Sequence, residues 1–294
     1  MSMLVAEPVF DHICLLGEGP VWNDLIGVIS WVDILRGEIH EFSEASHEHR
    51  TLHLGQMIGS FVITADGDYM AALRNGLGLV DRNSGQITHL HHPEAHLPGN
   101  RFNEGKCDPA GRFWVGSMAM SEEPGAGNLY MIDRDLSFSL KVPAVSISNG
   151  LAWSLDERTL YYIDSPTRQV VAYTYDKQTG EIKDKRVVIR MNEEDGFPDG
   201  MTIDTEGMLW IGHWDGWQVG RWNPVTGEKI LSIRMPVAKV TSCTFGGSNL
   251  QDLYITTAST GMSNEELRGQ PTAGSLFVVK NSGYCGLEPI HFKY

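Results

Sequence analysis

Four residues able to hold a cation or move a proton stand in short polar–glycine steps. They are Glu18 in EGP (18–20), Asn103 in NEG (103–105), Asn149 in NGL (149–151) and Asp199 in DGM (199–201). Each lies eleven or twelve residues before a short apolar-aromatic run, and Gly59 and Ser242 occupy the same phase. Carboxylates and amides are hard oxygen donors, suited to Ca²⁺, Mg²⁺ or Mn²⁺, and Zn²⁺ also accepts carboxylate sites. Turn punctuation alone would explain any one step, because Asn and Asp favour turns. It does not explain why two acids and two amides share a phase.

The runs that follow are themselves a repeat: LIGVISWVD (25–33), ADGDYMAAL (65–73), PAGRFWVGS (109–117), DERTLYYID (156–164), TEGMLWIGH (205–213) and LQDLYITTA (250–258). With Ser30, Met70, Trp114, Tyr161, Trp210 and Tyr254 as equivalent anchors, successive spacings are 40, 44, 47, 49 and 44. A period of about 40–50 with strand–turn–strand texture denotes propeller blades of four strands. Strands such as VVAYTY (170–175) and SLFVVK (275–280) are β-branched and aromatic, separated by turns such as DKQTGE (176–181). A β-sandwich would not produce six equivalents at this spacing. Residues 1–294 therefore read as one all-β domain, a six-bladed β-propeller with a central metal-binding channel. The stretch 3–10 (MLVAEPVF) is the candidate strand to close the ring in the last blade, removing an exposed edge.

In a propeller the first strand of each blade lines the channel, so residues at one phase form a ring. Two residues earlier stand Leu16, Met57, Arg101, Ile147, Phe197 and Val240; two later stand Pro20, Phe61, Gly105, Leu151, Met201 and Thr244. Strand alternation puts these on the same face. A polar layer between two largely apolar ones results, with Arg101 the lone charge above it. Buried carboxylates facing one another repel at a cost of several kcal/mol, which one bound divalent cation resolves.

The formal net charge of −14, without any basic run, argues against nucleic acid and anionic membrane as partners. Cys14, Cys107, Cys243 and Cys285 are scattered, as free thiols are in a reducing compartment. With no signal peptide or membrane-length apolar run, the cytoplasm is the expected location. The tract HLHHPEAH (89–96), broken by Pro93, reads as a loop rather than a metal cluster. No G-x-S-x-G elbow or P-loop pattern is present.

The run NRFNEGKCDPAGRFWVGSM (100–118) closely resembles the central signature of the regucalcin (senescence marker protein), gluconolactonase and luciferin-regenerating enzyme family. LGEGPVW (16–22), SNGLAWS (148–154), FPDGMTID (197–204) and VTSCTFGG (240–247) match its other signatures in order. The resemblance implies a six-bladed propeller that hydrolyses sugar lactones with one divalent cation. It implies metal ligands at Glu18, Asn149 and Asp199, substrate contacts at Arg101 and Asn103, and a general-base role for Asp199. Two departures stand out: Glu104 replaces an Asp of many relatives, and Ser121 stands where animal members carry a sugar-holding Glu. Glu122 and Glu123 lie just beyond and are the candidates for that contact.

The expected reaction is therefore metal-dependent hydrolysis of an aldono-lactone, such as a glucono- or pentono-lactone, to the aldonic acid. The cation is Ca²⁺, Mg²⁺, Mn²⁺ or Zn²⁺. Arg101 would stabilise developing negative charge. A carboxylate on a cation is a weakened base, so Asp199 either takes the proton or orients the attacking water. The alternatives are a non-catalytic calcium-binding regulator and a protein-binding scaffold.

Overall fold

Short β-branched and aromatic runs separated by glycine-bearing turns can bury both faces only by stacking sheet on sheet, and here they do so around a ring. A computed structural model describes residues 4–294; Met3 of the expected closing stretch lies outside the described residues. Six four-stranded antiparallel sheets follow one another in chain order. The fold is a six-bladed β-propeller. Its innermost strands are Gly17–Asn23, Ile58–Ile63, Asn100–Cys107, Ser148–Trp153, Phe197–Ile203 and Val240–Gly246. Each packs against the next, and the sixth returns to the first.

All six anchors fall on the second strand of their blade. Ser30 pairs with Val21, Met70 with Val62, Trp114 with Lys106, Tyr161 with Ala152, Trp210 with Thr202 and Tyr254 with Thr244. Trp114 and Trp210 pack rather than catalyse. Both are fully buried, Trp210 edge-on to Phe245 with centroids 5.6 Å apart. Such contacts between neighbouring blades make up the core.

The turn from first to second strand is built by an aspartate in two blades. Asp108 Oδ1 accepts from the Ala110 and Arg112 amides, while Oδ2 accepts from Arg112 Nε, Trp114 Nε1 and the Tyr175 hydroxyl. Asp204 repeats the device with the Glu206 and Met208 amides, Trp210 Nε1 and Arg221 Nε. Gly111 and Gly207, both at φ +80°, supply the left-handed residue of each turn.

Ring closure follows the expected route. Glu7–Pro8 forms the outer strand of the last blade, with Glu7 opposite Val278 and Pro8 opposite Phe277. A proline is tolerated there because an edge strand has no further ladder to donate to. The C-terminal tail then crosses one end of the central axis, bridging Asp204 through Gly286 and Thr64 through Phe292. Among the described residues, no helix is long and apolar enough to cross a membrane.

Candidate active site

Every innermost strand carries an irregularity at the phase of the polar residues. The pairing register shifts between Glu18 and Val21, Ile58 and Ser60, Phe102 and Gly105, Ser148 and Leu151, Pro198 and Met201, and Val240 and Ser242. A β-bulge leaves a residue outside the ladder and re-aims its side chain, which is why bulges cluster at sites. The polar–glycine steps are these bulges. Gly200 shows how tight they are: a Cβ there would meet Ser242 Oγ and approach Glu104 Oε2.

Two expectations are corrected by the bulges. The sixth unpaired position is Thr241, not Ser242, and the Thr241 hydroxyl donates to the Gly17 carbonyl at 2.6 Å, tying the last blade to the first. Strict two-residue alternation also fails at the third blade, where Glu104 is buried beside Asn103 and adds a third carboxylate to the ring. Its Oε2 is buried without a hydrogen-bond partner.

Glu18, Glu104 and Asp199 are each buried. Burial first, then the neighbouring Glu104 charge, pushes Glu18 up to about 8. Burial pushes Glu104 up to about 7, against the pull of Lys106. Burial, with the charges of Glu18 and Glu104, holds Asp199 well above the usual carboxylate range. Glu18 Oε2 accepts one bond, from the Gly19 amide at 2.7 Å. Three acids thus compete for protons in a space that supplies few donors.

Above them sits Arg101, partly buried and held by desolvation at about 10. Its guanidinium donates to Asn103 Oδ1 at 2.6 Å and to the Phe102 carbonyl at 3.0 Å. Asn103 Nδ2 donates to Asn149 Oδ1 and to the Ser148 carbonyl, both at 2.8 Å. Asn149 Nδ2 then donates to Ser165 Oγ at 2.7 Å, and that hydroxyl donates to the Pro198 carbonyl at 2.6 Å. One chain of hydrogen bonds therefore links Arg101, in the third blade, to the residue preceding Asp199 in the fifth. It also assigns the Asn149 amide: with Nδ2 committed to Ser165, Oδ1 faces the ring with a free lone pair.

Of the expected site residues, Glu18, Asn103, Asn149, Asp199 and Arg101 are brought together. Glu122 and Glu123 stay exposed on the loop after the strand Phe113–Ala119. Glu122, at φ +57°, lies near enough for its charge to act on Arg101. Among the described residues, neither glutamate hydrogen-bonds Arg101 or Asn103. Two residues were missed. Ser165 sits in a 3₁₀ turn, Ser165–Thr167, with nothing in its local sequence to mark it. Glu104 was visible as the acid of NEG, and a polar–glycine step in a strand is a bulge signal.

The other half of the axis is different. A cavity of about 460 Å³ runs from Glu104 and Lys106 past Cys107, Trp153 and Cys243 to the tail residues Leu287–His291. It opens at the ends of the inner strands away from Arg101, and Lys106 Nζ donates to the Met201 carbonyl at 2.6 Å there. The histidines of 89–96 do not converge; Glu94 of that tract is buried and accepts from Ser117, Asn128 and Asn100.

The profile of the SMP-30/Gluconolactonase/LRE-like region matches residues 16–259. The chain belongs to this family. It is 38% identical to regucalcin of Gallus gallus over 297 residues, covering 99% of both chains. It is 36% identical over 284 residues, 96% of both, to YvrE of Bacillus subtilis (strain 168), which carries the provisional name sugar lactone lactonase. Among solved structures, a calcium-binding protein, regucalcin, from Agrobacterium tumefaciens superposes with a TM-score of 0.94 at 26% identity, with both chains fully covered. The fold read from the repeat is thus the fold of the family.

Proposed function

We propose that the chain hydrolyses a sugar lactone at the channel mouth, using one divalent cation held by Glu18, Asn149 and Asp199. The observation that carries this reading is the set of three buried, mutually repelling carboxylates beside a partly buried arginine. The donor set fits a hard cation: it is all oxygen, Asn149 turns a free carbonyl lone pair inward, and Glu104 Oε2 lacks a partner. Such an ion would polarise the lactone carbonyl and acidify a water. The similarity to YvrE and the gluconolactonase family supports the reaction class.

The chain's own groups divide the remaining work. Arg101 donates to the substrate carbonyl or to sugar hydroxyls as charge develops on oxygen. Asn103 holds the guanidinium in place through Oδ1 and ties it to Asn149. Asp199 accepts the proton of the attacking water, and the buried Glu104 is a further acceptor in the ring. Glu122 and Glu123, exposed on the loop beside Arg101, would contact sugar hydroxyls.

A panel of aldono-lactones, assayed by acid release with Mg²⁺, Mn²⁺, Ca²⁺ or Zn²⁺, tests the proposal. Turnover of at least one is expected, and none on any would overturn it. Asp199→Ala should lose metal and activity together. Arg101→Ala should keep its metal and lose roughly ten- to a hundredfold in kcat/KM, the worth of a charge-assisted bond of about 1.5–3 kcal/mol. Tight Ca²⁺ binding with every lactone untouched would favour a calcium-binding regulator instead; the Agrobacterium relative is described as a calcium-binding protein.

A further inference from the structure

Three histidines far apart in sequence meet on the outer flank of the first blade. His40 lies on the strand Glu38–Ser43 and His49 on its neighbour Glu48–His53. His12 arrives from the segment just after the closing strand Glu7–Pro8. One ring nitrogen from each can be chosen so that all three lie within 4.8 Å of one another. His40 is fully buried, and its Nδ1 stands 3.1 Å from His49 Nε2 and 3.1 Å from the Thr51 hydroxyl. The Nε2 atom of His12 is buried without a hydrogen-bond partner.

We propose that His12, His40 and His49 form a second metal site, for Zn²⁺ or a similar borderline divalent ion, which clips the ring-closing segment to the first blade. Two Zn–N bonds of about 2.0–2.1 Å at a tetrahedral angle set their nitrogens roughly 3.3 Å apart, close to the His40–His49 separation. Neutral imidazoles crowded this way leave His12 Nε2 without a partner in a buried pocket, and a cation shared with His40 and His49 satisfies it. Burial keeps all three rings below the ordinary histidine value, with His40 at about 3 and His49 at about 4, so they are in the ligating form at neutral pH.

The surroundings match a built site. Glu38 Oε2 is 3.3 Å from His40 Nε2, the ring nitrogen facing away from His49, and Glu38 Oε1 is 3.0 Å from His53 Nδ1. A carboxylate behind a metal-bound imidazole fixes its tautomer and raises its basicity. Trp31 stacks on His40 and His49, and Phe10 stacks on His12 and Phe42, which walls the pocket with apolar surface. The nitrogen donor set excludes Ca²⁺ and Mg²⁺, so this site and the oxygen-lined ring select different ions.

The test uses metal-free full-length protein in excess Mg²⁺, titrated with Co²⁺ and followed by visible absorption, with Zn²⁺-dependent melting in parallel. One equivalent of Co²⁺ should give a strong d–d band, and Zn²⁺ should raise the Tm. Both effects should vanish in His49→Gln, and Glu38→Gln should bind about 10–100-fold more weakly. His12→Gln repeats the test from the closing segment should His49→Gln not fold. A band and a Tm rise that survive in both histidine variants overturn the proposal, as does the absence of any Co²⁺ band in the wild type.

Discussion

Two sets of buried carboxylates occupy this propeller, and they are treated in opposite ways. Asp108 and Asp204, in the turns at the far ends of the inner strands, are saturated with donors, five on Asp108 alone, and each bonds a largely buried arginine. Glu104 and Asp199, on the strands that lead into those turns, and Glu18, on the inner strand of the first blade, have few donors and face one another. Buried charge with full hydrogen bonding serves architecture; buried charge left short of partners is held for a ligand. The contrast separates the groups that hold the blades from those proposed to act, although all are buried acids of the inner strands and their turns.

The largest expected effect comes from breaking the saturated set. Asp108→Ala would leave Arg112, 2% exposed, without its ion-pair partner, and strip an acceptor from Trp114 and Tyr175. Removing one partner of a buried pair typically costs about 3–5 kcal/mol. Urea denaturation should show that loss, while metal content per folded molecule stays unchanged. If Asp108→Ala were tolerated and Asp199→Asn were strongly destabilising in metal-free protein, the division between the two sets would be wrong.

The second effect has a sign that distinguishes the sets. Glu18 and Glu104 hold their protons more tightly when folded, at about 8 and about 7, than in the unfolded chain near 4.5. Stability from a raised carboxylate is present at low pH and is lost as pH rises from the unfolded value through the folded one. The depressed histidines His12, His40, His49 and His213 act the other way, losing stability as pH falls through 6.5, the value of the unfolded ring. The window in which the acids dominate is therefore about pH 7–8. In EDTA, wild-type stability should decline across it by an amount on the order of 1–2 kcal/mol, and Glu18→Gln should flatten the slope. Adding the divalent cation should remove the decline. A flat wild-type profile in EDTA would show that the ring acids are not in conflict.

How much of this was readable beforehand follows from the range over which each feature acts. The blades were legible because a repeat of short aromatic strands is a local pattern written six times, and the closing strand because one sheet edge needed covering. Glu18, Asn149 and Asp199 were legible as equivalent positions of that repeat. Glu104 stands in the NEG step but was missed, because strict alternation assigns it to the opposite face and only the bulge between Phe102 and Gly105 turns it inward. Ser165 and the trio His12, His40 and His49 are joined through space alone, with no shared phase to expose them. Ser242 failed for a smaller reason: the sixth bulge holds one residue, so the unpaired position moves to Thr241.

The smallest expected effect probes whether the ring's orientation, and not only its charge, belongs to the unsaturated set. Ser165 touches neither the acids nor Arg101, yet its hydroxyl is the acceptor that commits Asn149 Nδ2 and the donor that reaches the Pro198 carbonyl. Ser165→Ala removes both bonds and frees the Asn149 amide to rotate, so its nitrogen rather than its oxygen can face Glu18 and Asp199. Loss of such an orienting partner typically weakens metal affinity about 10–100-fold, and the low end is expected because Asn103 still holds Oδ1 from the other side. Isothermal titration of the ring cation should show that loss with little change in melting temperature of the metal-free protein. Ser165→Thr keeps the hydroxyl and should restore affinity if the added methyl fits. An equal loss in both variants would mean that packing at the 3₁₀ turn, not the hydrogen bond, positions Asn149. Unchanged affinity in Ser165→Ala would mean that Asn103 alone sets the amide, and the chain from Arg101 to Pro198 would then end functionally at Asn149.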